Sequence, residues 1–167
     1  MRAKEIMTRD PDCCRRDDSA QHAARVMRDR DCGCVPIVDD GGRVVGIVTD
    51  RDLAVRGIAA GKHPDTKLLD LMTPMASCCA PDDDVRDVEQ KMAELRVRRI
   101  PIVDASGRCV GIISQADIAL AASGNTDVTD REIALVVEQI SRPSNRGTGR
   151  SDTRGTGFNE TGISPQF

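Results

Sequence analysis

Val45-Gly46-Ile47-Val48-Thr49-Asp50-Arg51-Asp52 returns 65 residues later as Val110-Gly111-Ile112-Ile113-Ser114-Gln115-Ala116-Asp117. In each copy a β-branched run stops at a hydroxyl residue, with an acid three places on. That pattern is a strand running into a helix N-cap. Working outward, residues 5–53 and 70–118 align without a gap and agree at 17 of 49 positions. Met7-Thr8 matches Met72-Thr73, Cys13-Cys14 matches Cys78-Cys79, and Met27 matches Met92. Pro36-Ile37-Val38-Asp39 matches Pro101-Ile102-Val103-Asp104. Equal spacing throughout implies one supersecondary unit built twice.

Each unit reads helix, strand, strand, helix. In the second, Asp83 or Asp84 caps a helix whose apolar face is Val85, Val88, Met92 and Leu95. The same places in the first hold Ala20, Ala23, Met27 and Arg30, a thinner stripe. Val35 to Val38 is a short strand, Asp39-Asp40-Gly41-Gly42 a turn, and Arg43 to Val48 the return strand. A helix then runs from about Arg51 to Ala60 and stops at Gly61, and its counterpart runs from near Ala116 to before Gly124. The organisation is a first unit at 1–64, a second at 65–124, a C-terminal helix within 125–140 and a tail at 141–167. Thr129-Asp130-Arg131-Glu132 opens that helix as a capping box. In the tail 17 of 27 residues are Gly, Ser, Thr, Pro or Asn, which predicts disorder.

Composition narrows the function. Hydrophobic residues at 39% and charged ones at 31% describe a folded chain. No apolar run reaches the roughly 20 residues of a membrane span, and the N-terminus leads into no secretion segment. Seven cysteines, an odd number, read as mostly free thiols in a reducing cytoplasm. The tail holds four of the 24 basic residues and two of the 27 acidic ones, leaving 20 and 25 in 1–140. Such an acidic body excludes a dedicated nucleic-acid binder. There is no Trp or Tyr, and the two Phe are Phe158 and Phe167. Any purine is therefore held by aliphatic walls and backbone groups.

Met7-Thr8, Val35-Pro36-Ile37-Val38-Asp39 and Gly46-Ile47-Val48-Thr49-Asp50-Arg51-Asp52, with their second copies, resemble a CBS domain. The pair resembles a Bateman module over about residues 3–122. The resemblance implies an α/β (α+β) fold of two β-α-β-β-α units packed sheet to sheet about a pseudo-twofold axis. It further implies two clefts for an adenosine nucleotide (AMP, ADP, ATP or S-adenosylmethionine), a flat homodimer and a regulatory role without catalysis.

The residues admit that chemistry and a plainer one. Thr49 and Ser114 stand at helix N-termini, where free N–H groups and the helix dipole favour phosphate. Asp52 and Asp117 can accept from ribose hydroxyls, as the family's matching Asp does. The same pairs are also ordinary capping boxes. Arg51 and Arg99 are phosphate-reading candidates in different places, because Arg51 aligns with Ala116 and Arg99 with Cys34. The resemblance puts the segment after Met-Thr on the adenine side, with one Cys of each pair near the base. The ligand-binding set is thus Thr49, Arg51, Asp52, Val35, Pro36 and Cys13, with Ser114, Asp117, Arg99, Ile100, Pro101 and Cys78. Gly46 and Gly111 mark close approach by a ligand or by another backbone.

The cysteine spacing fits no zinc finger or ribbon, so the thiols are read as small buried hydrophobes and no metal ligand is assigned. His22 and His63 read as structural or solvated. No catalytic motif is present. The reading that emerges is a regulatory nucleotide sensor with an unidentified protein target, no membrane partner and no required cofactor. The alternatives are an interaction module with vestigial clefts and a thiol-based metal or redox sensor.

Overall fold

The computed structural model describes residues 1–74 and 76–123. The helix read within 125–140 and the tail from 141 lie outside the described residues. The first unit contains α1 (Ala3–Ile6), β1 (Thr8–Arg9), β2 (Cys14–Arg15), α2 (Ala20–Asp29), β3 (Cys34–Val38) and β4 (Val44–Thr49). A continuous helical stretch follows, opening as α3 (Asp50–Asp52), widening to a π-turn over Leu53–Gly57 and tightening to a 3-10 turn over Ile58–Ala60. Gly61, at φ +68°, ends it in the left-handed conformation that glycine adopts without strain. After a 3-10 turn at Leu68–Asp70 come β5 (Thr73–Pro74), α4 (Val85–Leu95), β6 (Arg99–Val103), β7 (Cys109–Ser114) and α5 (Gln115–Ser123).

The local signals act as read. Ser19 caps α2 by accepting from the His22 N–H at 3.2 Å, and Asp84 caps α4 by accepting from Arg86 N–H at 3.0 Å. Ala23 and Met27 bury the inner face of α2; Val85, Val88 and Met92 bury that of α4. Leu95, read on that face, is 45% exposed, because α4 ends there and Arg96 turns to φ +53°. In both hairpins one aspartate organises the turn. Asp39 Oδ1 accepts from Gly41 and Arg43 N–H, and Asp104 Oδ1 from Ser106 and Arg108 N–H.

The sheets run β2-β3-β4-β5 and β1-β7-β6. Each unit therefore lends a two-residue strand to the other: β1 joins β7 of the second unit, and β5 joins β4 of the first. The cores follow the exchange. Ala3 packs with Val88, Met92, Ile100, Ile102 and Ile113, whereas Leu68 and Met72 pack with Cys14, Met27, Val35, Ile37 and Val48. A side chain such as Ile102 or Ile37, fully buried, contributes about 1.5–3 kcal/mol. Packing boundaries thus differ from chain order, since residues before β2 complete the second core. The hairpin tips also bond reciprocally: Val44 N–H donates to Gly107 O and Cys109 N–H to Gly42 O, both at 3.1 Å. These paired exchanges express the pseudo-twofold relation of the units.

The same exchange explains the strand glycines. A Cβ on Gly46 would stand 2.7 Å from Thr73 O, and one on Gly111 would overlap Met7 Sδ. Close approach by the lent backbone fixes glycine at Gly46, whereas at Gly111 the first contact is the flexible Met7 side chain, with Thr8 O next at 3.2 Å.

Candidate functional site

The capping motifs put a hydroxyl and a carboxylate together at the end of each return strand. In the second unit Asp117 Oδ2 accepts from Ser114 N–H at 2.7 Å and Ser114 Oγ–H at 2.6 Å, while Asp117 N–H reaches back to Ser114 Oγ at 3.3 Å. In the first unit Asp52 Oδ2 accepts from Thr49 N–H at 3.0 Å and Thr49 Oγ1–H at 2.7 Å. Cap and corner are one construction, so the plainer reading holds in the geometry of both. What differs is the second carboxylate oxygen. Asp52 Oδ1 lies 3.5 Å from Arg56 Nε, and Arg56 Nη1 donates to the carbonyls of Leu71 and Met72 at 3.0 Å each. The aligned residue in the second unit is Ala121, which has no charge to offer Asp117.

Ser114 and Asp117 open into a cleft of about 580 Å³ between the two units. That volume falls within the range of small-molecule sites, roughly 300–1,000 Å³. The lent segment Thr8–Asp12 forms one wall, Val26 of α2 with residues 30–34 after it form another, and Ile112 supplies apolar surface, while Pro36 on the lining is fully buried. Arg99 enters half-buried across from Cys34. Gly33 leaves room for it where it stands: a Cβ there would lie 2.9 Å from Arg99 Nη2 and 3.0 Å from Asp50 Oδ2, both flexible side-chain ends. Arg30 is held by an ion pair with Asp12, so Arg99 is the less committed guanidinium. Burial pushes the Cys34 thiol up to about 12 against the opposing pull of Arg99, so Cys34 presents a neutral, apolar surface.

Of the residues singled out from sequence, the cleft brings together Ser114, Asp117, Arg99 and Pro36. Thr49 and Asp52 form the equivalent corner of the first unit, and Arg51 is exposed on the first turn of the following helix. Val35 and Ile100 are fully buried core side chains, and Pro101 is buried in β6. Cys13 and Cys78 stand beside the cleft segment rather than on this cleft, each donating its thiol to a carbonyl two residues back, Pro11 O and Ala76 O, at 3.3 Å. The neighbouring Cys109 thiol lowers the Cys13 thiol by favouring its thiolate form. Sequence reasoning missed Arg30, Asp31, Gly33 and Cys34 as lining residues. The aligned pair Gly33-Cys34 against Arg98-Arg99 carried the signal: a small residue in one unit makes room for the arginine of the other.

Known proteins share this fold. The CBS domain family model matches residues 3–56 and 68–124, and the chain belongs to that family. It is 36% identical over 147 residues to the uncharacterized protein YlbB of Bacillus subtilis, covering 87% of this chain and 95% of that one. Hypoxic response protein 1 of Mycobacterium tuberculosis is 34% identical over 118 residues, with 70% and 82% covered. A crystal structure of hypoxic response protein I with two coordinated zinc ions superimposes with TM-score 0.66 at 33% identity, covering 72% of this chain and 98% of that one. The CBS domain pair of MJ0100, in complex with 5'-methylthioadenosine and S-adenosyl-L-methionine, gives TM-score 0.68 at 28% identity over 74% and 97%. The fold is therefore a tandem CBS pair of the α+β class, as the repeat implied.

Proposed function

We propose that this chain is a regulatory module that binds an adenosine nucleotide in the Ser114–Asp117 cleft and reports it by shifting the packing of the two units. The observation that carries the reading is the asymmetry of the two corners. Asp117 has one carboxylate oxygen spent on its cap and the other, among the described residues, without an Arg partner, in a cleft that also holds Arg99. A ribose would donate to Asp117 Oδ1, phosphate would meet Arg99 and the α5 N-terminus, and the base would lie against Ile112 and Val26. The adenosine ligands of the MJ0100 pair support this choice of ligand class.

The module regulates an unidentified protein in the cytoplasm, requires no cofactor and works without catalysis, as a homodimer. Val55, Ile58 and Leu120, exposed by 53%, 80% and 74%, supply apolar surface for the dimer. A ligand shifts the packing only by binding one arrangement more tightly than another. Calorimetry with AMP, ADP, ATP and S-adenosylmethionine is the test. At least one binds below millimolar, and Asp117→Ala weakens it at least tenfold while Asp52→Ala does not. No binding by any of the four removes the reading.

A further inference from the structure

Three potential metal ligands converge away from the cleft, where β2 turns into α2. The Cys14 thiol, an Asp18 carboxylate oxygen and an imidazole nitrogen of His22 all lie within 4.8 Å of one another. Among the described residues this is the one such group. The backbone holds each member by a different device. Cys14 sits in β2 opposite Ile37 and is 1% exposed. Asp18 is fixed by the turn it closes, its Oδ2 accepting from Arg15 N–H at 2.7 Å and its carbonyl accepting from Leu68 N–H at 2.8 Å. His22 is set by the Ser19 cap on the first turn of α2.

The duplicate unit separates what the fold needs from what it does not. Cys79, Asp83 and Asp87 occupy the aligned places. Asp83 closes the same turn, accepting from Ala80 N–H at 2.8 Å, so the acid at this place is part of the fold in both units. The imidazole is not: the second unit has Asp87 instead. It also has Lys91, where the first unit has Val26, with Nζ bonded to Cys78 O at 2.8 Å and its charge acting on Cys79. A cation already occupies the electrostatic place of a metal there. In the first unit no Lys stands at that position, and the exposed His22 ring has no hydrogen bond or ion pair among the described residues.

We propose that Cys14, Asp18 and His22 bind a divalent transition ion of the zinc class. A thiolate, an imidazole and a carboxylate together suit Zn²⁺ and exclude the oxygen-only coordination of Mg²⁺ or Ca²⁺. Bond lengths of about 2.0–2.3 Å require ligand atoms somewhat closer together than in this arrangement. The exposed imidazole and the half-buried carboxylate move inward to meet the fixed sulfur. Three protein ligands leave a fourth position for water, on the His22 side that faces solvent. On loading, the metal–sulfur bond replaces the S–H bond and the proton passes to water.

The proposal is independent of nucleotide binding. The test is Co²⁺ titration of the full chain after chelator treatment, in a background with Cys13, Cys32, Cys78 and Cys109 changed to Ser. One Co²⁺ per chain gives a thiolate-to-metal charge-transfer band and four-coordinate visible bands. His22→Gln, on an exposed position that leaves the fold intact by circular dichroism, weakens binding at least tenfold. Cys14→Ser removes the charge-transfer band; if that variant does not fold, His22→Gln and Asp18→Asn decide the matter. No thiolate band, or an affinity unchanged in His22→Gln, overturns the site.

Discussion

Arg56 Nε stands 3.5 Å from Asp52 Oδ1, while Asp117, the symmetry-equivalent acid, faces Ala121. Arg56 therefore distinguishes two corners whose hydroxyl–carboxylate hydrogen bonds are the same. Arg56 also ties the π-turn to the segment leading into the lent strand, through Leu71 O and Met72 O. Arg56→Ala is expected to cost about 1–2 kcal/mol, because two charge-assisted bonds at a partly exposed site are lost. Nucleotide affinity at the Asp117 cleft stays within twofold. Urea melts beside calorimetry check both halves, and a lost affinity would mean that the ligand uses the Asp52 corner.

Ser114 serves fold and site at once. Ser114→Ala removes the acceptor for Asp117 N–H and the donor to Asp117 Oδ2, at a cost of about 1 kcal/mol for the cap. The carboxylate, no longer held, loses its aim into the cleft and binding weakens. Ser114→Thr restores both, since Thr49 does the same work in the first unit. Failure of Thr to rescue binding, with the cap restored, would place the ligand away from this corner.

The repeat made most of the fold legible. Its helices, hairpins and capping acids follow from side-chain period and turn chemistry, which are local. The exchange of β1 and β5 was not legible, because two-residue strands have no period and Thr8 and Thr73 are both exposed. Their signal lay in Gly46 and Gly111, which read equally as ligand or backbone contacts until the neighbour was known. Ser114 and Asp117 were legible as a corner for the same local reason. The inequality of the corners was not, because Arg56 reaches Asp52 along one helix but acts together with carbonyls 15 and 16 residues on. Cys14, Asp18 and His22, each four residues apart, match no metal motif in the sequence, so His22 reads there as structural or solvated.

The glycine pair grades the two exchanges. At Gly46 an added Cβ meets a backbone atom, Thr73 O, at 2.7 Å, with the buried Met72 behind it. At Gly111 the worst contact is the flexible end of Met7, with Thr8 O next at 3.2 Å. Gly46→Ala therefore costs more than Gly111→Ala, with overpacking of this kind worth about 1–3 kcal/mol. Met7→Ala should recover part of the Gly111→Ala loss and leave Gly46→Ala unchanged. Chemical denaturation of the three single variants and the two double variants measures this; equal losses at both glycines would show that the strands are not held as described.

The thiols supply a readout of both pH and ligand. Burial pushes Cys34 up to about 12 and Cys14 and Cys78 up to about 11, while Cys32 is exposed and lines the cleft. Alkylation proceeds through the thiolate, so at pH 8 the exposed Cys32 is modified before the buried Cys34. A bound nucleotide covers Cys32 and slows that first reaction. The raised groups also set an alkaline limit on stability. Unfolded, they ionise near the ordinary value of 9.0; folded, they hold their protons to about 11 or 12. Their contribution is complete below the unfolded value and is lost as pH rises through that window, because the unfolded state then releases protons that the folded state keeps. Denaturation midpoints are expected to be level to about pH 9 and to fall above it. Peptide mapping of the alkylated sites, with and without nucleotide, checks the order of reaction, and labelling of Cys34 ahead of Cys32 would refute the burial pattern of the cleft wall.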